Sequence, residues 1–491
     1  MTLSNLRLSA AIAAGKLAGF ASRVLGRGGG TTLPGVVARR LAPDTLRRLS
    51  ARLPQGVVIV GGTNGKTTTT RMIAALLEAE GRRVLHNRAG ANLLSGLTAT
   101  ALAGAGLDGS LHAQVGLFET DEAALPDALD ETRPRLVLLH NLFRDQLDRY
   151  GEVDTIARRW RTALERLPAE STLLLNADDP AVADLGVGLT AQVRYYGLDD
   201  TRHGGGAAHM ADSQFCRRCG APYDYAVVFY AHVGHYSCPR CGHRRPEPHF
   251  RLARLDLHGA EASQLLLTYP SGALELRLPL PGLYNALNAL AAAAAGLLLE
   301  AAPGQVRATL EHFSAAFGRI ERVDAAGRPL FLALIKNPVG ASETVRMLTQ
   351  TLDGHTSTTE QPAADADTTS LKPQASSLDP SLHLLIAIND RFADGTDVSW
   401  LWDADFERLG GVVARATLSG TRAQDMAVRL KYAGVASDRI HVEPELAGAL
   451  DSALERLPAG ATLYALPTYT AMLDLRAELV RRGWVRPFWE D

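Results

Sequence analysis

A glycine-rich turn between a short apolar segment and a helical pattern constrains the fold of this chain more than any other feature. Residues 57–60 are all Val or Ile, residues 61–67 are Gly, Gly, Thr, Asn, Gly, Lys and Thr, and we predict a helix over residues 67–80. Glycines at such a turn let backbone N–H groups converge on phosphate oxygens, and the N-terminus of the helix adds a partial positive charge. We therefore predict a nucleotide-phosphate site, in which Lys66 is a mobile cation and the Thr67 hydroxyl can hold Mg²⁺.

The turn matches the short phosphate-loop pattern Gly-x-x-Gly-Lys-Thr, because the eight-residue form would need glycine where Val60 stands. The competing interpretation is a glycine-rich strand-to-helix turn with an incidental lysine. The apolar strand before the turn and the helix after it favour the phosphate site. The candidate nucleotide-binding residues of the turn are Gly62, Thr63, Asn64, Gly65, Lys66 and Thr67.

Short apolar runs alternate with helical patterns on both sides of this turn, at residues 57–60, 114–118, 136–140 and 172–175. Repetition of strand and helix predicts an α/β fold with a parallel sheet covered on both faces. A smaller second α/β unit, Rossmann-like, is predicted from apolar runs at 330–335, 382–388, 411–418 and 462–466.

The length of 491 residues predicts about three domains. We expect a helical N-terminal appendage over 1–50, a central ATP-binding domain over 51–315 and a C-terminal α/β domain over 316–491. The α/β pattern is interrupted over about 203–250 by a Gly/His/Cys/Pro-rich insertion. Residues 353–380 are rich in Thr, Ser, Ala, Asp and Pro, and we predict a disordered surface loop there.

The charge of the chain is nearly balanced, with 51 Lys and Arg against 53 Asp and Glu. No global field therefore attracts the chain to nucleic acid or to an anionic membrane, and any such partner must be met by a local surface. The most apolar segment, 286–302, is interrupted by Asn288 and Glu300 and is shorter than the roughly 20 residues that cross a bilayer. The N-terminus lacks the unbroken apolar core of a secretory signal, so we predict a cytoplasmic protein without a transmembrane segment.

Two acidic residues, Glu119 and Glu122, lie at the end of the predicted strand 114–118. A carboxylate at the carboxyl edge of a neighbouring parallel strand is where a metal-bound triphosphate would be met. An acidic cluster of this kind, taken alone, is more often a solvated strand end.

Four cysteines form two Cys-x-x-Cys pairs with 18 residues between them: Cys216, Cys219, Cys238 and Cys241. This spacing is typical of a zinc ribbon, and four thiolate ligands leave no position for a catalytic water. We therefore predict a structural zinc ion. The rival interpretation is a redox dithiol pair, but no thioredoxin-like sequence surrounds either motif.

Together these motifs resemble the Mur ligase superfamily, and more closely its MurT family, over nearly the whole chain. Residues 62–67 match the superfamily's ATP loop, and Glu119 stands where those ligases place a magnesium-binding glutamate. Residues 176–180 are similar to another central-domain segment. Asn285 and Asn288 match asparagines that lie near the adenine, and Arg319 matches the arginine of the domain junction.

Three features separate the MurT family from its relatives and are present here: the four-cysteine insertion, residues 336–338 (Lys-Asn-Pro) and the long segment 389–403. Other positions depart from the superfamily. Gln146 replaces a histidine that helps bind a second metal, no lysine lies between Lys66 and Lys336 to be carbamylated, and Ala333 replaces a ribose-contacting aspartate. The sequence therefore lacks the histidine and the central-domain lysine of the superfamily's usual second metal site. The resembled ligases have a large N-terminal domain that binds a UDP-linked precursor. That domain is absent from this sequence, which suits a lipid-linked substrate better than a nucleotide-linked one.

The resemblance implies amidation of the α-carboxylate of D-isoglutamate in the stem peptide of lipid II, through an acyl phosphate formed with ATP and Mg²⁺. Lys66, Thr67 and Glu119 are the residues expected to hold the transferred phosphoryl group and its metal. The resemblance also implies that the enzyme acts at the inner face of the membrane, on a lipid-linked substrate. No cysteine is left for a glutaminase, so ammonia is expected from a separate GatD-type glutamine amidotransferase subunit. Asp397 and Asp403 are the candidates for assisting that subunit's Cys-His pair. Either one could instead cap a helix or brace the neighbouring tryptophans.

Two other functions remain open at this stage. One is a folylpolyglutamate-synthetase-like ligase that adds an amino acid rather than ammonia. The other is a nucleic-acid-binding protein with a phosphate loop and a zinc ribbon, although we expect no nucleic-acid partner. It requires a basic ribbon face, for which the available residues are Arg217, Arg218, Arg240, Arg244 and Arg245.

Overall fold

A computed structural model describes residues 3–24, 32–87, 91–143, 152–204, 213–314, 320–353 and 381–486. Several predictions from the sequence fall outside these ranges: the position of Gln146, the position of Arg319, the boundary at 315/316 and residues 354–380 of the predicted loop.

The helices and strands alternate along most of the chain. The helices are α1 (Leu3–Val24), α2 (Leu33–Leu41), α3 (Thr45–Ser50), α4 (Lys66–Ala79), α5 (Leu94–Gly104), α6 (Leu125–Thr132), α7 (Glu152–Leu164), α8 (Pro180–Asp184), α9 (Leu283–Leu298), α10 (Pro303–Glu311), α11 (Pro338–Asp353), α12 (Ala423–Tyr432), α13 (Leu446–Glu455) and α14 (Tyr469–Arg481). The strands are β1 (Val57–Gly61), β2 (Val84–His86), β3 (Val115–Glu119), β4 (Leu136–Leu139), β5 (Thr172–Asn176), β6 (Gln192–Leu198), β7 (Asp224–Tyr230), β8 (Val233–Ser237), β9 (Phe250–His258), β10 (Ala262–Tyr269), β11 (Gly272–Leu278), β12 (Glu321–Asp324), β13 (Pro329–Leu332), β14 (Leu382–Ala387), β15 (Val413–Ser419), β16 (Ile440–Val442) and β17 (Leu463–Pro467).

The larger sheet has nine strands in the order β11-β10-β9-β6-β5-β4-β1-β3-β2. Seven neighbouring strands of this sheet pair in parallel, in the order β9-β6-β5-β4-β1-β3-β2. Strands β10 and β11 extend the β9 edge with antiparallel pairing. The central parallel sheet predicted from the strand-helix alternation is therefore confirmed. Strands β6 and β9 to β11 were not predicted, because they lie around the insertion, where the sequence alternation breaks.

Alternate residues of β1 point to opposite faces of this sheet. Val58 and Val60 belong to a core that includes α4 and the alanine-rich α9, whereas Val57 and Ile59 belong to a second core with α5, α6 and α7. The second core also contains Leu8 and Ile12 of α1. The N-terminal helices therefore form part of the covering layer of the sheet.

The insertion leaves the sheet between two neighbouring strands, because β6 and β9 pair directly. Within it, β7 and β8 form a separate antiparallel pair. Beside that pair lies a small cluster of buried aromatic and cysteine side chains.

A second sheet of six strands has the order β12-β13-β17-β14-β15-β16. All of its pairings are parallel except β12 with β13. This confirms the C-terminal α/β unit predicted from the apolar runs. Among the described residues, no helix combines the length and apolar character needed to cross a bilayer.

Candidate functional site

The glycine-rich turn connects the end of β1 to the start of α4, as the sequence predicts. Gly62 and Gly65 have φ angles of +130° and +89°, a region that side chains with a Cβ rarely adopt. A Cβ on Gly65 would also lie 2.3 Å from Oδ1 of Asn288. Glycine is therefore required at this position for both conformation and space. The turn leaves the first N–H groups of α4 facing the site, which suits phosphate oxygens.

Lys66, Thr67, Glu119 and Glu122 meet at the start of α4. The Thr67 hydroxyl lies 2.8 and 2.7 Å from the two carboxylate oxygens of Glu119. Nζ of buried Lys66 donates to the Gly62 carbonyl and lies 3.2 Å from Oε1 of Glu122. The arrangement combines a cation with the hard oxygen donors that Mg²⁺ prefers, so these residues fit a magnesium-bound phosphate.

Glu119 reaches this position because β1 and β3 are parallel neighbours with Val60 opposite Glu119. Asn87 holds the glutamate backbone on its other side. Its side chain donates to the Glu119 carbonyl at 2.8 Å and accepts from the Glu119 N–H at 2.9 Å. Asn87 was not predicted from the sequence, because β2 is a three-residue strand with no clear sequence signal.

Hydrogen bonds of asparagine side chains connect the glycine-rich turn to the C-terminal unit. Asn64 N–H donates to Oδ1 of Asn141 at 2.8 Å, and Nδ2 of Asn337 donates to Oδ1 of Asn64 at 2.9 Å. Asn337 follows β13, so one residue of the turn contacts both α/β units. Asn64, Asn337 and the neighbouring Lys336 line a cleft between the glycine-rich turn and the C-terminal unit.

Helix α9 supplies the far wall of this cleft through Asn285 and Asn288, both buried. Asn285 donates from Nδ2 to the Pro281 carbonyl at 2.7 Å, which fixes the entry into the helix. The structure therefore places both predicted asparagines beside the glycine-rich turn.

A buried histidine at the end of β4, His140, also lines the cleft. Its Nδ1 lies 2.9 Å from the hydroxyl of Tyr196, and its Nε2 has no hydrogen-bond partner among the described residues. Burial and the positive charge of Lys66 lower the pKa of His140 to about 3. The ring is therefore neutral at physiological pH, with one nitrogen available to a ligand.

Neither residue of this pair was predicted from the sequence. His140 ends the apolar run 136–140 and gives no signal of its own. Tyr196 belongs to β6, which the sequence pattern did not predict.

The four cysteines converge, as their spacing predicts. All four Sγ atoms lie within 4.8 Å of one another, with Cys216 to Cys241 at 3.5 Å and Cys219 to Cys238 at 3.4 Å. A tetrahedral zinc site with Zn–S bonds of about 2.3 Å requires sulfur atoms about 3.8 Å apart. The cluster therefore fits zinc.

Each cysteine pair closes a tight turn. Gly220 N–H donates to the Cys216 carbonyl at 2.7 Å, and Gly242 N–H donates to the Cys238 carbonyl at 3.0 Å. Burial raises the pKa of the Cys216 thiol, but the N–H groups of Arg218 and Cys219 outweigh it and lower that pKa to about 6. The thiolate form of Cys216, which is the form that binds metals, is therefore favoured at neutral pH.

The insertion is anchored to residues 176–180 through buried carboxylates. Oδ1 of Asp178 accepts from Nε of Arg245 at 2.6 Å, and Oδ2 of Asp179 lies 3.1 Å from Nε2 of His232. Tyr230, at the end of β7, lines the cleft beside the turn. The insertion therefore contributes directly to the wall of the candidate site.

Asp397 and Asp403 lie on the surface of the C-terminal unit, on either side of the short 3₁₀ helix Ser399–Trp402. Asp397 accepts from Ser399 N–H at 2.8 Å, and this bond lowers the pKa of its carboxyl group. No side-chain hydrogen bond of Asp403 is found within the described part of the chain. Neither aspartate is among the residues that line the cleft.

A buried arginine supports this surface segment. Arg429 of α12 donates to the carbonyls of Leu401 and Ala404, each at 2.8 Å. Its guanidinium lies 5.3 Å from the ring centroid of Trp402 and 5.4 Å from that of Phe406. Arg429 was not predicted from the sequence, because nothing in the pattern of α12 distinguishes it from a surface arginine.

Comparisons with known proteins match both units. The Mur ligase middle domain matches residues 60–219, and the MurT ligase C-terminal family matches residues 334–472. The "Lipid II isoglutaminyl synthase (glutamine-hydrolyzing) subunit MurT" of Staphylococcus aureus (strain N315) is 31% identical over 477 residues, covering 97% of this chain and 98% of that protein. The chain belongs to the MurT family. The identically named protein of Streptococcus pneumoniae (strain ATCC BAA-255 / R6) is 32% identical over 484 residues, or 98% and 99% of the two chains.

The MurT family shares its fold with more distant ligases of solved structure. A pseudomurein peptide ligase type C from Methanothermus fervidus superposes with a TM-score of 0.62 at 19% identity, covering 89% of this chain and 80% of that one. At this identity the similarity concerns the fold alone. It agrees with the Mur-ligase-like α/β architecture predicted from the sequence motifs.

Proposed function

We propose that this chain is the synthetase subunit of a lipid II isoglutaminyl synthase, converting D-isoglutamate of the stem peptide to D-isoglutamine. The observation that carries the proposal is the near-full-length similarity to relatives that bear this name. The cradle of Lys66, Thr67 and Glu119 supplies the ATP chemistry that such a reaction needs. No described residue conflicts with it.

The reaction has two transfers in this proposal. A carboxylate oxygen of the substrate attacks the γ-phosphorus of ATP, the bond to the bridging oxygen of ADP breaks, and an acyl phosphate forms. Ammonia then attacks the carbonyl carbon, phosphate leaves with the C–O bonding electrons, and the nitrogen loses a proton to give the amide. Phosphorylation is necessary because a free carboxylate has no leaving group.

Each residue of the cradle has a distinct part. The N–H groups at the start of α4 and the Lys66 ammonium stabilise charge on the phosphates. Thr67 and Glu119 would hold Mg²⁺, which when bound neutralises phosphate charge. Asn285, Asn288 and Arg319 are assigned to the nucleotide by similarity. The proximity of Asn288 to Gly65 supports its assignment.

The nitrogen source in this proposal is a GatD-type glutamine amidotransferase. All four cysteines of the chain lie in one cluster that fits zinc, so none remains as a glutaminase nucleophile. Exposed aromatic side chains near Asp397 suit the docking of a second subunit: Phe392, Trp402 and Tyr432. Trp402 and Tyr432 pack edge to face, with ring centroids 5.6 Å apart.

We also assign one structural zinc ion to the four cysteines, which makes the insertion a zinc ribbon. The metal would supplement the small hydrophobic core beside the strand pair β7 and β8. Because all four ligands are sulfur, it would take no part in the amidation.

Co-expression with an adjacent amidotransferase-like gene tests the proposed function. The expected result is a stable pair that converts lipid II to its amidated form with glutamine and ATP, and a free chain that uses only ammonia. No co-purification together with no amidation would overturn it. ATP turnover stimulated by glutamate without a partner would favour the folylpolyglutamate-synthetase-like alternative instead.

The nucleic-acid alternative is weakened by the pairing of the ribbon arginines. Arg217 pairs with Asp154 at 2.6 Å, Arg218 with Asp184 at 2.8 Å and Arg245 with Asp178 at 2.6 Å. Their charges are therefore largely compensated within the protein. A salt-dependent shift of a nucleic-acid probe would restore this alternative.

A further inference from the structure

Helix α1 has two apolar faces, and the rest of the described structure covers one of them. Leu8 and Ile12 are buried in the core beneath the sheet. Gly15 lies against Leu102 and Pro34, where a Cβ would approach within 2.9 Å of each. These close contacts fix the rotation of α1 about its own axis.

The opposite face forms an exposed strip that contains Leu6, Ala10, Ala13, Leu17, Phe20 and Val24. The four large side chains on it are 51, 68, 60 and 68% exposed for Leu6, Leu17, Phe20 and Val24 respectively. At 3.6 residues per turn, these six positions fall within one narrow sector of the helix. We call them the α1 strip. A contiguous exposed apolar surface of this kind marks an interaction site.

Basic residues border the α1 strip. Arg7 and Lys16 lie on its two sides, roughly 80 to 100° from its centre. Both donate to backbone carbonyls, of Leu41 and Ala105, so no carboxylate compensates their charge within the described ranges. Arg40 and Arg47, on the neighbouring helices, are exposed and likewise have no carboxylate partner there.

The sequence concentrates positive charge in the same region. Residues 1–52 contain nine Arg or Lys and a single acidic residue, Asp44, for a formal charge of +8. The whole chain has a formal charge of −2, so the remaining residues have −10. The nearly neutral net charge of the chain is therefore the sum of a strongly basic N-terminal region and an acidic remainder.

The carboxyl-terminal end of the α1 strip lies toward the edge of the sheet that carries the glycine-rich turn. A Cβ on Gly19 would approach Pro34, and one on Gly35 would clash with the Ser95 carbonyl at the start of α5. Just before α5, the Asn92 carbonyl accepts from the N–H of Asp121, two residues after Glu119. The carboxyl-terminal half of α1 is thus linked through α5 to the carboxyl ends of the strands.

We propose that the α1 strip and its basic borders dock on the surface of a bilayer that contains anionic phospholipids. The helix would lie in the plane of the interface, with its large apolar side chains among the acyl chains and its cations at the headgroups. The inference goes beyond the proposed amidation, and its binding test does not depend on that reaction. Docking would bring the ATP edge of the sheet toward lipid-linked substrates.

The combination of features favours a membrane over other partners. A nucleic-acid surface would need the positive charge but not an apolar strip that projects several large side chains. A protein partner could cover the strip, but charge of one sign on both borders matches a uniformly anionic surface. Vesicle sedimentation and self-association of the free chain distinguish a membrane from a protein partner.

The binding experiment uses the full chain and sedimentation with vesicles. We expect strong binding to vesicles of phosphatidylcholine mixed with phosphatidylglycerol, and weak binding to phosphatidylcholine alone. Added salt should reduce the difference, since it screens the basic border. Absence of binding to the anionic vesicles would overturn the proposal.

Variants locate the binding surface. Leu17→Ser combined with Phe20→Ser should lower the partition coefficient about tenfold or more, because two apolar side chains no longer enter the interface. Val24→Ser should weaken binding, whereas Val187→Ser, at an exposed valine outside the N-terminal region, should not. Thermal denaturation checks that each variant is folded. Equal binding by the double variant and the unmodified chain would refute the assignment to α1.

Two further measurements separate the possible failures. Amidation of lipid II dispersed in detergent should be unaffected by the double substitution, while amidation of lipid II in anionic vesicles should fall. If the unmodified pair amidates lipid II neither in detergent nor in vesicles, the proposed function is wrong. The vesicle-binding result then still tests the membrane proposal by itself. Self-association of the free chain that the double substitution abolishes, without vesicle binding, would identify a second copy as the occupant.

Discussion

Lys66 brings a full positive charge into the turn at the start of α4, where it contacts the Gly62 carbonyl and Glu122. Lys66→Ala removes that charge from the position assigned to the phosphates. We expect ammonia-dependent amidation to fall at least about 100-fold, the scale of losing one strong electrostatic contact in a transition state. ADP release with ammonia, ATP and lipid II measures the effect without requiring glutaminase activity.

The matched control for this substitution is Lys431→Ala, at an exposed lysine of α12. It should retain activity, and both variants should unfold at the temperature of the unmodified chain to within a few degrees. Amidation by Lys66→Ala at the unmodified rate would remove the ATP assignment of the turn.

His140 makes stability depend on pH, because burial and Lys66 lower its pKa from 6.5 to about 3. The unfolded chain takes up a proton on this residue below pH 6.5 and the folded chain does not. Stability from the neutral ring is thus present above pH 6.5 and is lost as pH falls toward 3. This residue contributes a slope of up to about 1.4 kcal/mol per pH unit.

Chemical denaturation at several pH values between 7 and 5 tests this linkage. His140→Asn should show a shallower decline of the unfolding free energy with falling pH, even if its stability at pH 7 is lower. His112→Asn, at an exposed histidine, serves as the control and should keep the original slope. Identical slopes for His140→Asn and the unmodified chain would contradict the assignment.

At the scale of elements, we propose that the insertion is stabilised by a zinc ion on its four cysteines as well as by packing. The antiparallel pair β7 and β8 has a small core of its own, and its two cysteine turns converge within 4.8 Å. We expect the purified protein to contain about one zinc ion per chain, by elemental analysis. Cys238→Ser should lose the zinc and lower the melting temperature, whereas Ser237→Ala should retain both. A fully folded protein free of zinc would refute the ribbon.

The insertion also connects to the cleft, since Tyr230 lines it and Arg346 of α11 donates to the Phe229 carbonyl at 2.7 Å. Loss of zinc should therefore disturb the cleft wall as well as the ribbon. The proposed zinc would therefore support the cleft wall although all four of its ligands would be sulfur.

At the scale of the whole molecule, the segment around Asp397 lies outside the cleft beside the glycine-rich turn, which is consistent with our proposal that it serves a second subunit. The bond from Ser399 N–H orients the Asp397 carboxylate and lowers its pKa, and the triad role that we propose for it requires an oriented, ionised carboxylate. We therefore expect Asp397→Asn to abolish glutamine-dependent amidation by the pair while ammonia-dependent amidation persists.

Asp403→Asn is the matched control on the same surface, because its carboxylate makes no side-chain hydrogen bond within the described residues. It should retain glutamine-dependent activity, and both variants should co-purify with the partner. The opposite pattern would transfer the role to Asp403. Loss of the ammonia-dependent reaction in Asp397→Asn would mean that the residue supports the synthetase instead.

The sequence alone determined the features that depend on neighbours along the chain. The turn at 62–67, the strand-helix alternation and the two Cys-x-x-Cys pairs were all predicted, because each is encoded by local geometry or short spacing. The coarse architecture of two α/β units followed from the same signals, and the family similarity agrees with it.

Only the tertiary structure decided which distant residues meet. The pairing of β1 with β3 places Glu119 on Thr67, and the approach of the two units places Asn337 on Asn64. The partners of His140, the burial of Arg429 and the exposed face of α1 also depend on packing between segments far apart in sequence. Such contacts leave no periodic signal, because a polar or apolar residue looks the same in the sequence whether its neighbour is solvent or another element.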